Sequence, residues 1–315
     1  MINKLANNEN RFNRKMYNYC NARSAFKAYM GSLNFEGNDH VLLPAYIGWS
    51  SREGSGVFDP VKELGIKYAF YKFDKNLCID IDNFKLALDS NKIKLIVIIH
   101  YFGFIDPNYN TLMSIAKSKG IPVLEDEAHA LYTDLIGGIS GRLGDAVIFS
   151  MHKMLPVISG GLLCVNTPHS NNDLTGMVDK PCASIQEYDL KAIADSRLRN
   201  TEALQKCIEP YADIIKPLRR HLAQGEIPQT FPVLIEHVSR DKIYNMMNES
   251  GFGVVSLYHT MIDAIQIEMF PESFFVSKHI LNLPVHQDAE PGMMKSMVEQ
   301  LLKAISVLEI ENKPS

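Results

Sequence analysis

Residues 121–134 read IPVLEDEAHALYTD, and residues 144–165 read GDAVIFSMHKMLPVISGGLLCV, with a glycine-rich patch between them. The apolar run Pro122-Val123-Leu124 follows Gly120 and ends in Glu125-Asp126-Glu127. A run that short, bounded by glycine and by charge, predicts a buried parallel strand rather than a helix. In a parallel sheet, ligands gather beyond the carboxyl ends of the strands, which puts Asp126 at a ligand edge. Ala146-Val147-Ile148-Phe149 predicts a second strand, with Ser150 and Lys153 just past its end. Gly160-Gly161 then leads into a third apolar run, Leu162 to Val165.

A carboxylate at one strand end and a lysine at another make a pair that suits pyridoxal phosphate. That cofactor needs a lysine amine to condense with its aldehyde. It also needs an acid beside its pyridine nitrogen, because a protonated ring is the better electron sink. Asp126 and Lys153 have the side chains for those roles, and Ser150 has a hydroxyl for the phosphate. From spacing alone the plainer reading stands beside it: Asp126 a solvated strand-end acid and Lys153 a surface lysine.

The segment EDEAHA (125–130), followed by GRLGDAVIFSMHKMLPVISGGLL (141–163), resembles the DegT/DnrJ/StrS family of sugar aminotransferases. The family pattern is E-D-x-A-(His or Gln), then G-x-x-G-D, a strand ending in serine, a lysine, and a Gly-Gly strand. All are present in order, and the resemblance extends from about Ala22 to the LPVHQD segment at 283–288. It implies a fold-type I α/β enzyme, with a mainly parallel large domain and a smaller α+β C-terminal domain. By the same resemblance the cofactor is pyridoxal 5'-phosphate. Lys153 and Asp126 are then the catalytic pair, and His129 contacts the cofactor ring. Ser150 and the backbone at Ala22 and Arg23 hold the phosphate, as a helix start does. Here Ala22 stands where glycine is usual. An aromatic residue after Pro44 stacks on the ring, for which Trp49 is the candidate; a core tryptophan is the alternative.

In the commoner family version five residues separate serine and lysine; here the interval is three, as in an S-x-x-K-x-L-P subgroup. His152 adjoins Lys153, and some relatives with histidine in place of the lysine are sugar dehydratases. The resemblance favours an aminotransferase that takes its amino group from glutamate and passes it to a keto sugar linked to a nucleotide. A dehydratase and a degenerate, regulatory cofactor binder are the alternatives. It also implies a homodimer in which Asn200 or Arg199, in SRLRNTEAL (196–204), reaches the neighbour's phosphate. His100 in HYFG resembles the family's cleft H-x-x-G; a histidine satisfied by local backbone is the alternative.

The 315 residues suggest two domains, divided at 170/171 where the composition turns polar through NTPHSNNDLTG. Lys plus Arg is 32 against 36 Asp plus Glu, a net charge of −4, which offers no basic footprint for nucleic acid. No apolar run approaches the roughly 20 residues of a membrane span. The polar start MINKLANNENRFNRK lacks the apolar core of a signal peptide. The five cysteines, Cys20, Cys78, Cys164, Cys182 and Cys207, form no CxxC pair. A cytoplasmic protein is the expectation. Further strands are expected at 40–44, 67–71, 95–99, 231–236 and 281–284. Helices capped by Asn21 or Ser24, by Asp80, by Asp106 and by Ser239 are expected too.

Overall fold

The computed structural model describes residues 14–167, 174–178 and 185–311. The polar N-terminus, the expected domain boundary at 170/171 and Cys182 lie outside the described residues. The chain runs β1 (Lys15–Tyr19), α1 (Ala22–Ser32), β2 (His40–Pro44), α2 (Phe58–Glu63), β3 (Lys67–Tyr71) and α3 (Ile81–Ser90). It continues through β4 (Ile93–Ile99), α4 (Tyr109–Ser118), β5 (Val123–Asp126), β6 (Ala146–Ser150), β7 (Gly161–Val165) and α5 (Leu190–Ile208). Then come β8 (Lys216–Pro217), β9 (Thr230–Leu234), α6 (Arg240–Glu249), α7 (Pro271–His279), β10 (Ile280–Pro284) and α8 (Pro291–Glu311).

Seven strands form one sheet in the order β1-β7-β6-β5-β4-β2-β3. The pairs β2/β3, β2/β4, β4/β5 and β5/β6 are parallel, whereas β6/β7 and β1/β7 are antiparallel. This is the expected fold-type I α/β architecture. The central strands are apolar on both faces because helices cover both sides of such a sheet. Thus Leu95 to Ile98 in β4 is wholly buried. β1 is an addition: its short, half-polar KMYNY run sits at the sheet edge, where alternation is weak. A smaller antiparallel sheet, β10-β9-β8, packs with α5, α6 and α8 around a second apolar core. Met261, Ile262, Ile265, Phe270 and Val276 nonetheless join the core of the large sheet.

Local capping follows the side chains. Asn21 accepts the Ser24 N–H at α1, and Asp80 accepts those of Asp82 and Asn83 at α3. Ser239 accepts the Lys242 N–H at α6. Asp106 does not cap α4. Its carboxylate takes the N–H groups of Ile79 and Asn108, and the helix begins at Tyr109, beyond that turn. No helix among the described residues is long and apolar enough to cross a membrane.

Candidate active site

The carboxyl ends of β2, β4, β5 and β6 point to one side of the sheet, and a cavity of about 650 Å³ opens there. That volume is in the range of small-molecule sites. Its wall includes Ala22, Arg23, Trp49, Asp126, His129, Ser150, His152, Lys153 and Tyr258. Seven of the eight sequence-nominated residues thus line it; Asn200 does not.

Asp126 ends β5 and is buried. Its Oδ1 accepts the Ala128 N–H at 2.9 Å, and no hydrogen bond reaches Oδ2 among the described residues. Burial raises its pKa above the ordinary value, and the Lys153 charge only partly offsets this. The expectation of a solvated strand-end acid therefore fails. Lys153 is open to the cavity, while protein packs around its amine on the remaining sides. That crowding lowers its pKa, and Asp126 and Glu53 act the other way. A lowered pKa enlarges the fraction of neutral, nucleophilic amine.

The Lys153 amine lies 3.3 Å from His129 Nε2. The His129 ring is buried and lies nearly parallel to Phe102, at 14° with centroids 5.9 Å apart. Burial first, and then Lys153, hold its pKa well below the ordinary histidine value, so the ring is neutral. Its Nδ1 accepts the Phe102 N–H at 3.4 Å, which assigns the ring proton to Nε2, facing the lysine.

Ser150 ends β6, buried, with its Oγ 3.4 Å from His152 Nδ1. The start of α1 lies against β7. A Cβ on Gly161 would overlap the backbone of Asn21, so glycine is needed for this approach. The N–H groups of Ala22 and Arg23, in the first turn, have no intrahelical acceptor. The Arg23 side chain turns away, bonding Glu53 O and lying 3.9 Å from Asp59.

Three expectations are corrected. Trp49 is 45% exposed at the cavity rim and makes no ring contact among the described residues, so it is not a core tryptophan. Only its backbone is tied, to Thr260 O. Asn200 is buried, and its Nδ2 donates to the carbonyls of Val285, His286 and Ala289 within its own chain. It therefore has no free donor for a neighbour's phosphate, whereas Arg199 is exposed and spends only one N–H on Ser196 Oγ. His100 is buried beneath the site with Nε2 2.8 Å from Glu125 Oε2, neither in the cleft nor satisfied by local backbone. The segment 256–260, including Tyr258, lines the cavity without any motif to announce it.

The residues fit pyridoxal phosphate. A buried carboxylate with an open oxygen calls for a cationic partner, which a protonated pyridine nitrogen supplies. An accessible amine of lowered pKa faces the same cavity, and a helix start with a buried serine can take the phosphate.

The sequence model of the "DegT/DnrJ/EryC1/StrS aminotransferase family" matches residues 13–179, more than half of the chain. The spore coat polysaccharide biosynthesis protein SpsC of Bacillus subtilis (strain 168) is 33% identical over 112 residues, 35% of this chain. That match spans only 28% of SpsC. Among solved structures, the apo form of the putative sugar aminotransferase Spr1654 of Streptococcus pneumoniae superposes with a TM-score of 0.77 at 16% identity. It covers 95% of this chain and 88% of that one. The E. coli GDP-4-keto-6-deoxy-D-mannose-3-dehydratase, bound to hydrated pyridoxal phosphate, gives 0.71 at 16% identity, over 92% and 88% of the two chains. At such identities the likeness speaks for the fold, which transferase and dehydratase share. By the family match, the chain belongs to the DegT/DnrJ/EryC1/StrS aminotransferases, sugar aminotransferases whose cofactor is pyridoxal phosphate.

Proposed function

We propose that this protein transfers an amino group from glutamate to a keto sugar carried on a nucleotide. One observation carries the reading: the Lys153 amine faces a cavity shared with the buried carboxylate of Asp126 and lies 3.3 Å from neutral His129. The bound cofactor supplies an aldehyde and an electron-withdrawing ring. The remaining work falls to side chains. Asp126 holds a proton on the ring nitrogen by charge. With cofactor and substrate bound, the Lys153 amine would move a proton to and from the substrate carbon as general base and acid. His129 donates its Nε2 proton toward that amine, favouring the neutral base. Ser150 and the N–H groups of Ala22 and Arg23 take the phosphate.

A dehydratase would need histidine where the lysine acts. Lys153, not His152, is the side chain beside His129 and within reach of the Asp126 charge. His152 turns to Ser150, which favours the transferase. The nucleotide-linked acceptor, the glutamate donor and a homodimeric assembly rest on the family resemblance.

Borohydride reduction should trap the cofactor on wild-type protein and not on Lys153→Ala, and glutamate should shift the visible absorbance of the holoprotein. Trapping that persists in Lys153→Ala and maps to another lysine would refute the assignment. A holoprotein whose spectrum ignores glutamate would instead identify a binder with little turnover, or a different donor.

A further inference from the structure

Tyr258 comes from the C-terminal half of the chain, yet its ring is part of the wall that holds Asp126, His129 and Lys153. The ring centroid lies 6.3 Å from that of His129 at 33°, and 5.6 Å from that of Tyr46. Its backbone is held at every polar atom. The Tyr258 N–H donates to Tyr46 Oη at 2.7 Å, and Ser277 Oγ donates to Tyr258 O at 2.7 Å. Tyr46 Oη in turn donates to Leu257 O, and Leu257 N to Asn282 Oδ1. The phenol itself has no hydrogen-bond partner among the described residues. Burial, and then the Asp126 charge, keep it un-ionised.

Gly48 explains how the ring gets there. A Cβ at that position would fall among the ring atoms of Tyr258. The segment after Pro44 therefore leaves a gap, and a residue more than two hundred positions later fills it. Trp49, the next residue, points to the rim instead.

We infer that Tyr258, and not Trp49, is the aromatic side chain that lies against the cofactor ring. The inference rests on the pyridoxal phosphate reading above. Aromatic contact at a ring is worth enough to shift a dissociation constant by about tenfold.

The test is titration of cofactor-free full-length protein with pyridoxal phosphate, read by absorbance. Tyr258→Ala should raise the dissociation constant about tenfold. Tyr258→Phe, which keeps the ring, should stay within about threefold, and Trp49→Ala should stay near wild type. Gly48→Ala should match Tyr258→Ala by displacing the ring, and should add nothing in the Tyr258→Ala background. If Tyr258→Ala melts at room temperature, Tyr258→Leu, which fills the space without an aromatic ring, takes its place in every comparison. A tenfold loss in Trp49→Ala with none in Tyr258→Ala overturns the inference. So does an equal loss in Tyr258→Phe and Tyr258→Ala, or a Gly48→Ala effect that persists without the tyrosine. Absence of binding by the wild type would refute the pyridoxal phosphate reading itself, and the inference with it.

Discussion

Glu125→Gln should cost about 3–5 kcal/mol of folding stability at neutral pH, the usual loss when a buried charged network is broken from one side. The wild-type carboxylate is fully buried and accepts four hydrogen bonds. Gly144 N–H reaches Oε1 at 2.7 Å; Gly141 N–H, Tyr109 Oη and His100 Nε2 each reach Oε2 at 2.8 Å. Glutamine turns one oxygen into an NH2 group, a donor among donors. Even in the better orientation, with the amide oxygen toward the three-donor side, Gly144 loses its acceptor. A bond to a charged acceptor is worth about 1.5–3 kcal/mol, and the other three drop toward about 1 kcal/mol each. Relief from burying a charge offsets part of this. Burial pushes the Glu125 pKa up, but His100 and the other donors outweigh it, so the net shift is below the ordinary 4.5. A carboxylate with a lowered folded pKa contributes stability that is full above its ordinary value and is lost as pH falls through the folded value. The two proteins should therefore differ most near pH 7 and converge only in acid, as the pH falls below the ordinary glutamate value and through the lowered folded one. Urea unfolding of the cofactor-free forms at pH 7 and in acid measures both effects. A difference under about 1 kcal/mol at pH 7, or one unchanged in acid, would show that the four bonds do not carry the loop 141–144.

Glu127→Gln should act in the opposite sense. Glu127 is buried beside Asp134 and Glu125, so burial and then those charges raise its pKa well above the ordinary value, and nearby Ser140 and Arg14 only partly offset this. Its stabilising proton is lost as pH rises, so the glutamine variant should equal wild type below the ordinary glutamate value and exceed it in Tm increasingly toward pH 8; a variant less stable at pH 8 contradicts this. Asp126→Asn should leave cofactor bound and cut kcat by orders of magnitude, as misplaced-proton variants do, and near-normal turnover would remove Asp126 from the mechanism.

The parts of the fold that can be read from sequence are those whose determinants lie close together in the chain. β3 falls at 67–71 as its pattern predicts, and Asp80 caps α3 because both partners are within three residues. The site core is legible for the same reason. β5 and β6 are neighbours in the sheet, so Asp126, His129, Ser150 and Lys153 converge from a single 28-residue stretch. The failures all involve partners from elsewhere. Glu125 reads as one of the charges that stop a strand, whereas it lies inside β5 because glycine N–H groups 16 and 19 residues later surround it. Trp49 and Tyr258 show the same effect at the cavity. The local pattern after Pro44 offers a tryptophan, but Gly48 beside it makes room for a ring delivered from the far half of the chain.

Asn200 gives the clearest physical reason. In a helix pattern an asparagine between Arg199 and Thr201 reads as a solvated polar residue, or as a hand extended to a partner. Its fate is decided by three carbonyls at 285–289, in the loop after β10, that have no strand left to bond. Carbonyls turned toward the protein need donors, and the side-chain amide on the facing helix supplies two N–H groups. The requirement belongs to the loop, 85 residues away, so nothing near Asn200 in the sequence records it. A group already holding three internal carbonyls is then unavailable to a second subunit. If a neighbouring chain completes the phosphate site, it must do so with another residue.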